Sequence, residues 1–261
     1  MRCFANTSFS RVFSSKSVWR KALFFSVNVL SLLTLCLGLS NCGFFSNATG
    51  QASQSHSALV VQQPPQARLT YVALGASDTF GIGADDPQSE NWPTDLSIKL
   101  GRGVRLVNLG IPDVSLHDAL SVELPVALDA HPNIVTIWLA VNDLKDNVPL
   151  RNYAHDLDLL LGRIQTAYPH ARIAVANVPN LTLVPYFAPY DPQTLSSLIQ
   201  DYNTTIASTV LHHHTLLVDL FKQWHELRQH PEYISSDGLH PSTLGYTRIA
   251  EIFYQSLQSP S

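Results

Sequence analysis

Two patterns of hydrophobic and polar residues alternate from residue 69 to the end of the chain. Short runs rich in β-branched residues, bounded by Gly, Pro, Asn or Asp, predict buried strands. They are Leu69–Leu74, Val104–Leu109, Ile134–Val141, Arg172–Val178 and Thr215–Leu220. Longer stretches predict helices at Trp92–Leu100, Leu116–Leu124, Tyr153–Tyr168, Thr194–His212 and Thr243–Leu257. In the third of these helices, apolar residues from Leu157 to Ile164 share one face, which is typical of a helix packed on a core.

This alternation of strands and helices predicts the α/β fold class, with one parallel sheet covered on both faces. Residues 69–261 show neither an internal repeat nor a second domain. In sheets of this kind, ligands bind at the carboxyl ends of the strands. The residues that directly follow each predicted strand are therefore the candidates for function.

The chain before this domain has the order of an export signal. Residues 1–21 carry basic residues and no acid, and residues 22–39 are almost wholly apolar. A basic segment followed by an apolar one is typical of a secretory signal, and about 18 apolar residues are also enough for a marginal membrane span. Leu39-Ser40-Asn41-Cys42-Gly43 resembles the lipobox of bacterial lipoproteins, although Asn41 replaces the usual Gly, Ala or Ser. We expect an exported lipoprotein of the cell envelope with lipid on Cys42; an uncleaved anchor and an ordinary signal are the alternatives.

Composition divides the chain into a signal at 1–41, a lipidated end and tether at 42–68, and a folded domain at 69–261. The tether is rich in Ser, Gln and Asn and is too polar to bury a core. The three cysteines are Cys3, Cys36 and Cys42, so the domain lacks a thiol nucleophile, a disulfide and a Cys-ligated metal. The chain's net charge is −4, but all 20 acidic residues and only 10 of the 16 basic ones follow Arg68. This acidic domain argues against nucleic acid as a partner.

Polar residues follow several of the predicted strands. Ser77 follows the first strand, where a hydroxyl can face a cleft or simply cap a helix. Gly110 follows the second strand and permits a sharp turn. Asn142 follows the third, and its uncharged N–H donors suit the stabilisation of an oxyanion, while the alternative is an Asx turn. Near the C-terminus, Asp237 and His240 are spaced to hydrogen-bond on one loop, which leaves the second imidazole nitrogen free to act as a base.

Taken in order, these blocks resemble the SGNH/GDSL hydrolase superfamily from Leu69 to about Leu257. The resemblance implies a flavodoxin-like three-layer α/β/α fold with a five-stranded parallel sheet, and hydrolysis of esters or thioesters without a cofactor or metal. It makes Ser77 the nucleophile, His240 the base and Asp237 its partner. The oxyanion hole would consist of the Ser77 and Gly110 N–H groups and the Asn142 side chain.

The signature departs from the family at two positions. It reads Gly75-Ala76-Ser77-Asp78, so alanine replaces the usual Asp before the serine and Asp78 replaces an apolar residue. A shifted register would make Thr79 the nucleophile, but the spacing of the flanking glycines favours Ser77. Ala140 replaces a glycine before Asn142.

Three other features have simpler interpretations. His212-His213-His214 is expected to be a solvated loop rather than a metal site, because no Cys or acidic ligand set accompanies it. Pro185–Tyr190 is either an aromatic wall of the cleft or ordinary packing. Asp143 and Asp146 are expected to face solvent.

The sequence therefore predicts a membrane-tethered serine esterase. Its substrate is either a short-acyl or glycan ester, or a lipid ester or thioester as in lysophospholipases and thioesterases. The alternative from another class is a catalytically weak binding protein at the cell envelope, suggested by Ala76 and Asp78.

Overall fold

Five short strands form one parallel sheet in the part of the chain that the structure, a computed structural model, describes, residues 69–258. They are β1 (Leu69–Gly75), β2 (Val104–Asn108), β3 (Ile134–Trp138), β4 (Arg172–Ala176) and β5 (Leu216–Val218). Their spatial order is β2-β1-β3-β4-β5, with every neighbouring pair parallel. This is the flavodoxin-like order, which confirms the predicted fold class.

Helices cover both faces of this sheet. They are α1 (Ser77–Phe80), α2 (Trp92–Leu100), α3 (Leu116–Val122), α4 (Leu124–Asp129), α5 (Val141–Lys145), α6 (Leu150–Ala167), α7 (Pro192–His212), α8 (Leu220–Gln223) and α9 (Thr243–Gln258). Short 3-10 helices lie at Leu181–Leu183, Pro185–Phe187, Trp224–Arg228 and Pro231–Tyr233. Helices α2 and α9 pack together on one face, while α3, α4, α6 and α7 pack on the other. The result is a three-layer α/β/α arrangement.

The start of α2 shows how local sequence produces this packing. The Asn91 side chain accepts a hydrogen bond of 2.9 Å from the Thr94 N–H and so caps the helix, and Pro93 fits its first turn. Trp92 is fully buried and its ring stacks on Phe253 of α9 at 4.2 Å. An aromatic pair of this kind joins the two helices of one layer and fixes α9 against the sheet.

The structure differs from the predicted elements mainly where a loop residue is apolar. The third predicted strand ends at Trp138 rather than Val141, because α5 begins at Val141. The predicted helix Leu116–Leu124 ends at Val122, and a second helix that was not predicted, α4, begins at Leu124 after Glu123. Pro125 lacks an N–H and cannot continue the first helix, but it fits the first turn of the second.

The order of the strands places a crevice at the carboxyl ends of β1 and β3. The chain leaves β1 for β2 on one side and then returns to pair β3 with the other side of β1. Connections that diverge in this way leave a crevice between the loops, where ligands bind in open α/β sheets. Ser77 follows β1 and Asn142 follows β3, so both predicted site residues flank the crevice.

The proposed signal, Cys42 and the tether lie outside the described residues. Within residues 69–258, no helix is long and apolar enough to cross a membrane.

Candidate active site

A hydrogen-bonded relay joins Ser77, His240 and Asp237 at the carboxyl end of the sheet. The Ser77 Oγ lies 2.9 Å from His240 Nε2, and His240 Nδ1 lies 2.6 Å from Asp237 Oδ2. With the proton on Nδ1, the imidazole donates to the carboxylate and Nε2 can accept the Ser77 proton. The three residues predicted from the sequence are therefore brought together in the order that activates a hydroxyl.

Asp237 is held as a carboxylate by its own loop. Its partial burial opposes ionisation, but hydrogen bonds from the His240 ring, the Leu239 and His240 N–H groups and the Ser235 hydroxyl outweigh this and lower its pKa to about 2. The negative charge is thus present throughout the neutral range, where it fixes the tautomer of the imidazole.

The loop that carries the acid and the base is closed on itself. Ile234 and Pro241 form an antiparallel bridge, and the Ser235 N–H donates to the His240 carbonyl at 2.8 Å. Gly83 lies behind this loop with a φ of 98°, and a Cβ there would stand 2.5 Å from the Pro241 carbonyl oxygen. Only a glycine allows this approach. This supporting role of Gly83 was not predicted from the sequence.

Ser77 and Thr79 differ sharply in their surroundings. Ser77 is half-buried at the cleft and begins α1, so its N–H belongs to the first turn, where no intrahelical partner is available. Thr79 is fully buried, and its Oγ1 faces Gly75, where a Cβ would come within 1.9 Å of it. A hydroxyl enclosed in this way cannot reach a substrate. The geometry therefore favours Ser77 over the shifted register.

The predicted oxyanion donors do not all meet at the cleft. Asn142 lines the cleft and uses one Nδ2 hydrogen to hold the Val114 carbonyl at 3.0 Å, which leaves the second hydrogen for another acceptor. Gly110 is not among the cleft residues, and its N–H donates to Asn108 Oδ1 at 3.0 Å. A Cβ on Gly110 would stand 2.3 Å from the Phe80 nitrogen, so this glycine permits close packing against α1.

Asp143 is buried, which corrects the expectation that it faces solvent. Its Oδ2 accepts a hydrogen bond of 3.0 Å from the Leu116 N–H at the start of α3. Burial raises its pKa to about 6 in spite of this bond. The contact ties α5 to α3 and so fixes the neighbouring Asn142. Asp146 is exposed, as expected.

Apolar side chains form most of the cleft wall beyond Ser77. They include Trp138, Leu181, Val184, Phe187, Leu220 and Ile249. Part of the predicted aromatic segment therefore contributes to the wall. The same segment contacts the loop of the base, since the Tyr186 N–H donates to the Gly238 carbonyl at 2.8 Å.

Asp78 adds a titratable carboxyl to this apolar cleft. Burial raises its pKa to about 6, while the nearby His240 partly offsets the effect. The group is thus mainly charged at neutral pH and becomes neutral in mild acid. A carboxylate beside Ser77 disfavours a substrate whose acyl group is itself negatively charged.

Glu123 is a second carboxyl that sequence reasoning missed. It is 1% exposed at the junction of α3 and α4, and its Oε2 accepts a 3.0 Å hydrogen bond from the Gly75 N–H at the end of β1. Its Oε1 has no hydrogen-bond partner among the described residues. Burial raises its pKa to about 8, so the group is mostly protonated at pH 7. No motif marked it, because its burial depends on the break in the helix at Pro125.

The Glu123→Gln substitution should remove the fall in the free energy of unfolding that deprotonation of Glu123 causes as the pH rises. Between pH 4.5 and 8 the folded state binds the Glu123 proton more tightly than the unfolded state, so stability falls as pH rises. At pH 8 the variant should be more stable than the parent by about 2–4 kcal/mol, and at pH 4.5 the difference should nearly vanish. Urea unfolding of the full chain at both pH values measures this, with exposed Asp129→Asn as the control. Parallel stability curves for parent and variant would contradict it.

Comparison with known proteins agrees with the fold. The GDSL-like lipase/acylhydrolase family matches residues 73–248. An arylesterase of Vibrio mimicus is 26% identical over 196 residues, which cover 74% of this chain and 90% of that protein.

Solved structures show the same fold. A lipase/acylhydrolase from Enterococcus faecalis has a TM-score of 0.59 at 20% identity, covering 72% of this chain and 95% of its own. A family 3 carbohydrate esterase of Clostridium thermocellum has a TM-score of 0.57 at 23% identity, with 72% and 94% covered. The family match spans more than half of the chain, and the chain therefore belongs to the GDSL-like lipase/acylhydrolase family of ester hydrolases.

Proposed function

We propose that this protein is an exported serine esterase in which Ser77 is the nucleophile, His240 the general base and Asp237 the group that orients it. The observation that carries the proposal is the continuous relay from Ser77 Oγ through both ring nitrogens of His240 to Asp237, with contacts of 2.9 and 2.6 Å. A serine hydroxyl barely ionises at neutral pH, and a base oriented in this way makes it nucleophilic.

The reaction follows from the positions of these groups. The Ser77 oxygen attacks the ester carbonyl as its proton passes to His240 Nε2, and the carbonyl oxygen becomes an oxyanion. The Ser77 N–H and the free Nδ2 hydrogen of Asn142 are the donors we assign to that oxyanion. His240 then protonates the leaving alcohol, and water repeats the sequence to release the acid.

The cleft favours an uncharged acyl group. Its walls are mainly apolar, and the Asp78 carboxylate lies beside the nucleophile. Apolar walls stabilise an alkyl or aryl group by removing it from water, whereas the carboxylate repels an anionic one. We therefore propose neutral carboxylic esters as the substrate class.

A panel of p-nitrophenyl esters from acetate to palmitate tests this proposal on the full chain. We expect turnover of neutral esters, with the acyl length of highest kcat/KM separating a short-acyl esterase from a lysophospholipase-like enzyme. The hemisuccinate ester should react more slowly than the neutral butyrate of the same chain length. Absence of turnover on every ester would overturn the proposal and favour a binding protein that retains the fold.

We also propose that the protein is anchored at the cell envelope through lipid on Cys42. Support comes from the basic, apolar and Leu39–Gly43 segments in that order. The Cys42→Ala variant should lose incorporation of labelled palmitate, because the thiol that would carry the lipid is absent. Cys36→Ala is the matched control and should incorporate label like the parent. Equal incorporation in the parent and Cys42→Ala would contradict lipid on this residue and favour an uncleaved span or an ordinary signal.

A further inference from the structure

An acid meets the histidine run on the surface of the domain, which corrects the expectation that no acidic ligand accompanies it. Asp158 of α6, His212 of α7 and His213 place one ligand atom each within 4.8 Å of one another. The residues lie 54 and 55 positions apart in the chain, and the packing of α6 on α7 joins them. Three ligands of these types are a common set for zinc.

His213 is held rigidly between two acceptors. Gln165 Nε2 donates to the His213 carbonyl at 2.6 Å, which orients the amide so that its Oε1 faces His213 Nδ1 at 2.8 Å. Nδ1 must therefore carry the ring proton. In a neutral imidazole, Nε2 then presents a lone pair, yet it lies 2.8 Å from the Asp158 Oδ1. Both acceptors are satisfied either by an imidazolium, as in an Asp158–His213 ion pair, or by a metal ion that binds Nε2 and the Asp158 carboxylate.

The surroundings of the ring are those of an ordered ligand. The His213 side chain is only 11% exposed and lies over Gly162, whose added Cβ would approach the ring at 3.8 Å. One face of α6 contacts the imidazole through Asp158, Gly162 and Gln165. A metal-bound histidine usually donates its second nitrogen to an acceptor, the part that Gln165 plays here.

We propose that Asp158, His212 and His213 bind one divalent zinc ion. His213 Nε2 and an Asp158 carboxylate oxygen are the first two ligands, and the exposed His212, whose ring is perpendicular to that of His213 at 5.2 Å, is the third. Ligand atoms around a tetrahedral zinc stand about 3.3 Å apart. The Asp158 oxygen, now 2.8 Å from His213 Nε2, must therefore move out by about half an ångström. The exposed His212, whose ligand atom lies within 4.8 Å of the other two, must move in by up to about 1.5 Å. Solvent completes the coordination.

The ion would link α6 to the end of α7. His213 precedes β5 and so lies toward the amino ends of the strands, whereas Ser77 and His240 lie at the carboxyl ends. Ester hydrolysis therefore does not involve this site directly. A ligand that binds only the folded state stabilises it, so the effect of zinc should appear in thermal unfolding.

Thermal unfolding of the metal-stripped full chain in ZnCl₂, with MgCl₂ as a comparison, tests the proposal. The Tm of the parent should rise in zinc by about 5 °C and should not respond to magnesium. His212→Ala removes an exposed ligand with little effect on folding, and it should lose most of this shift. Gln165→Ala should weaken zinc binding by about tenfold or more.

The control is His170→Ala, an exposed histidine that follows α6 and lies outside the cluster. It should respond to zinc like the parent, and every variant retains the three cysteines and His56 of the first 68 residues. Equilibrium dialysis should show one zinc fewer per chain in His213→Ala. Equal zinc shifts in the parent and His212→Ala, or no shift in the parent, would overturn the site and leave an ordinary Asp158–His213 ion pair.

Discussion

Replacing Ser77 with alanine should lower kcat/KM for ester hydrolysis by at least about 10³-fold. The variant removes the one hydroxyl that lies at hydrogen-bond distance from His240 Nε2, and no other hydroxyl in the described residues contacts that nitrogen. The cleft and the proposed oxyanion donors remain, so weak residual hydrolysis and unchanged substrate binding are expected. Initial rates on the best p-nitrophenyl ester of the panel measure the loss.

The matched control is Thr79→Val, two residues along the same short helix. Valine has nearly the shape of threonine, and the Thr79 hydroxyl has no hydrogen-bond partner among the described residues. Its removal should leave kcat/KM within about twofold of the parent value and leave the free energy of unfolding unchanged or slightly raised. A loss of activity in Thr79→Val with retention in Ser77→Ala would identify Thr79 as the nucleophile. A covalent phosphonate adduct mapped to Ser77 would support the assignment independently.

Asp237→Asn should lower kcat by about 10³–10⁴-fold while KM changes little. The carboxylate can only accept, and it therefore keeps the imidazole proton on Nδ1. An amide can turn its NH₂ toward Nδ1, which favours the tautomer with the proton on Nε2. That tautomer cannot accept the Ser77 proton. The same substitution also removes the negative charge that stabilises the imidazolium formed in the transition state.

Steady-state kinetics across pH 5–9 test this expectation, with Asp85→Asn as the control. Asp85 is exposed, and its side chain makes no hydrogen bond with the described residues, so this variant should behave like the parent. Because the pKa of Asp237 is about 2, the defect of Asp237→Asn should persist through this whole range. Comparable activity of the two variants would show that Asp237 does not orient the base.

The sheet and the Asp237–His240 pair could be predicted from the sequence because both depend on local patterns. Each strand is a short apolar run between turn residues, and the alternation with helices admits few topologies. Asp237 and His240 lie on one loop, so their contact needs no knowledge of the fold. Ser77 was paired with them through the resemblance to the SGNH/GDSL superfamily, and its place at the carboxyl end of a parallel strand agrees with that pairing.

What the sequence did not predict depends on contacts between distant segments. The burial of Glu123 follows from a helix break, and that of Asp143 from the packing of α5 against α3. Asp158 reaches the histidine run only through the packing of α6 on α7. Gly110 follows its strand as expected, but the Asn108 side chain takes its N–H, a choice between neighbouring acceptors that no pattern reveals.

The closed loop between Ile234 and Pro241 makes the acid and base a single body. This loop contacts the rest of the site through the hydrogen bond between His240 and Ser77, the hydrogen bond from the Tyr186 N–H to the Gly238 carbonyl and its packing on Gly83. The helix that follows, α9, holds this body in place through its packing on α2 and the sheet. Partial detachment of α9 would carry His240 away from Ser77 while the Asp237–His240 pair survives intact. Esterase activity therefore reports whether α9 is packed on the rest of the domain. We expect activity to be lost at denaturant concentrations at which the sheet is still folded.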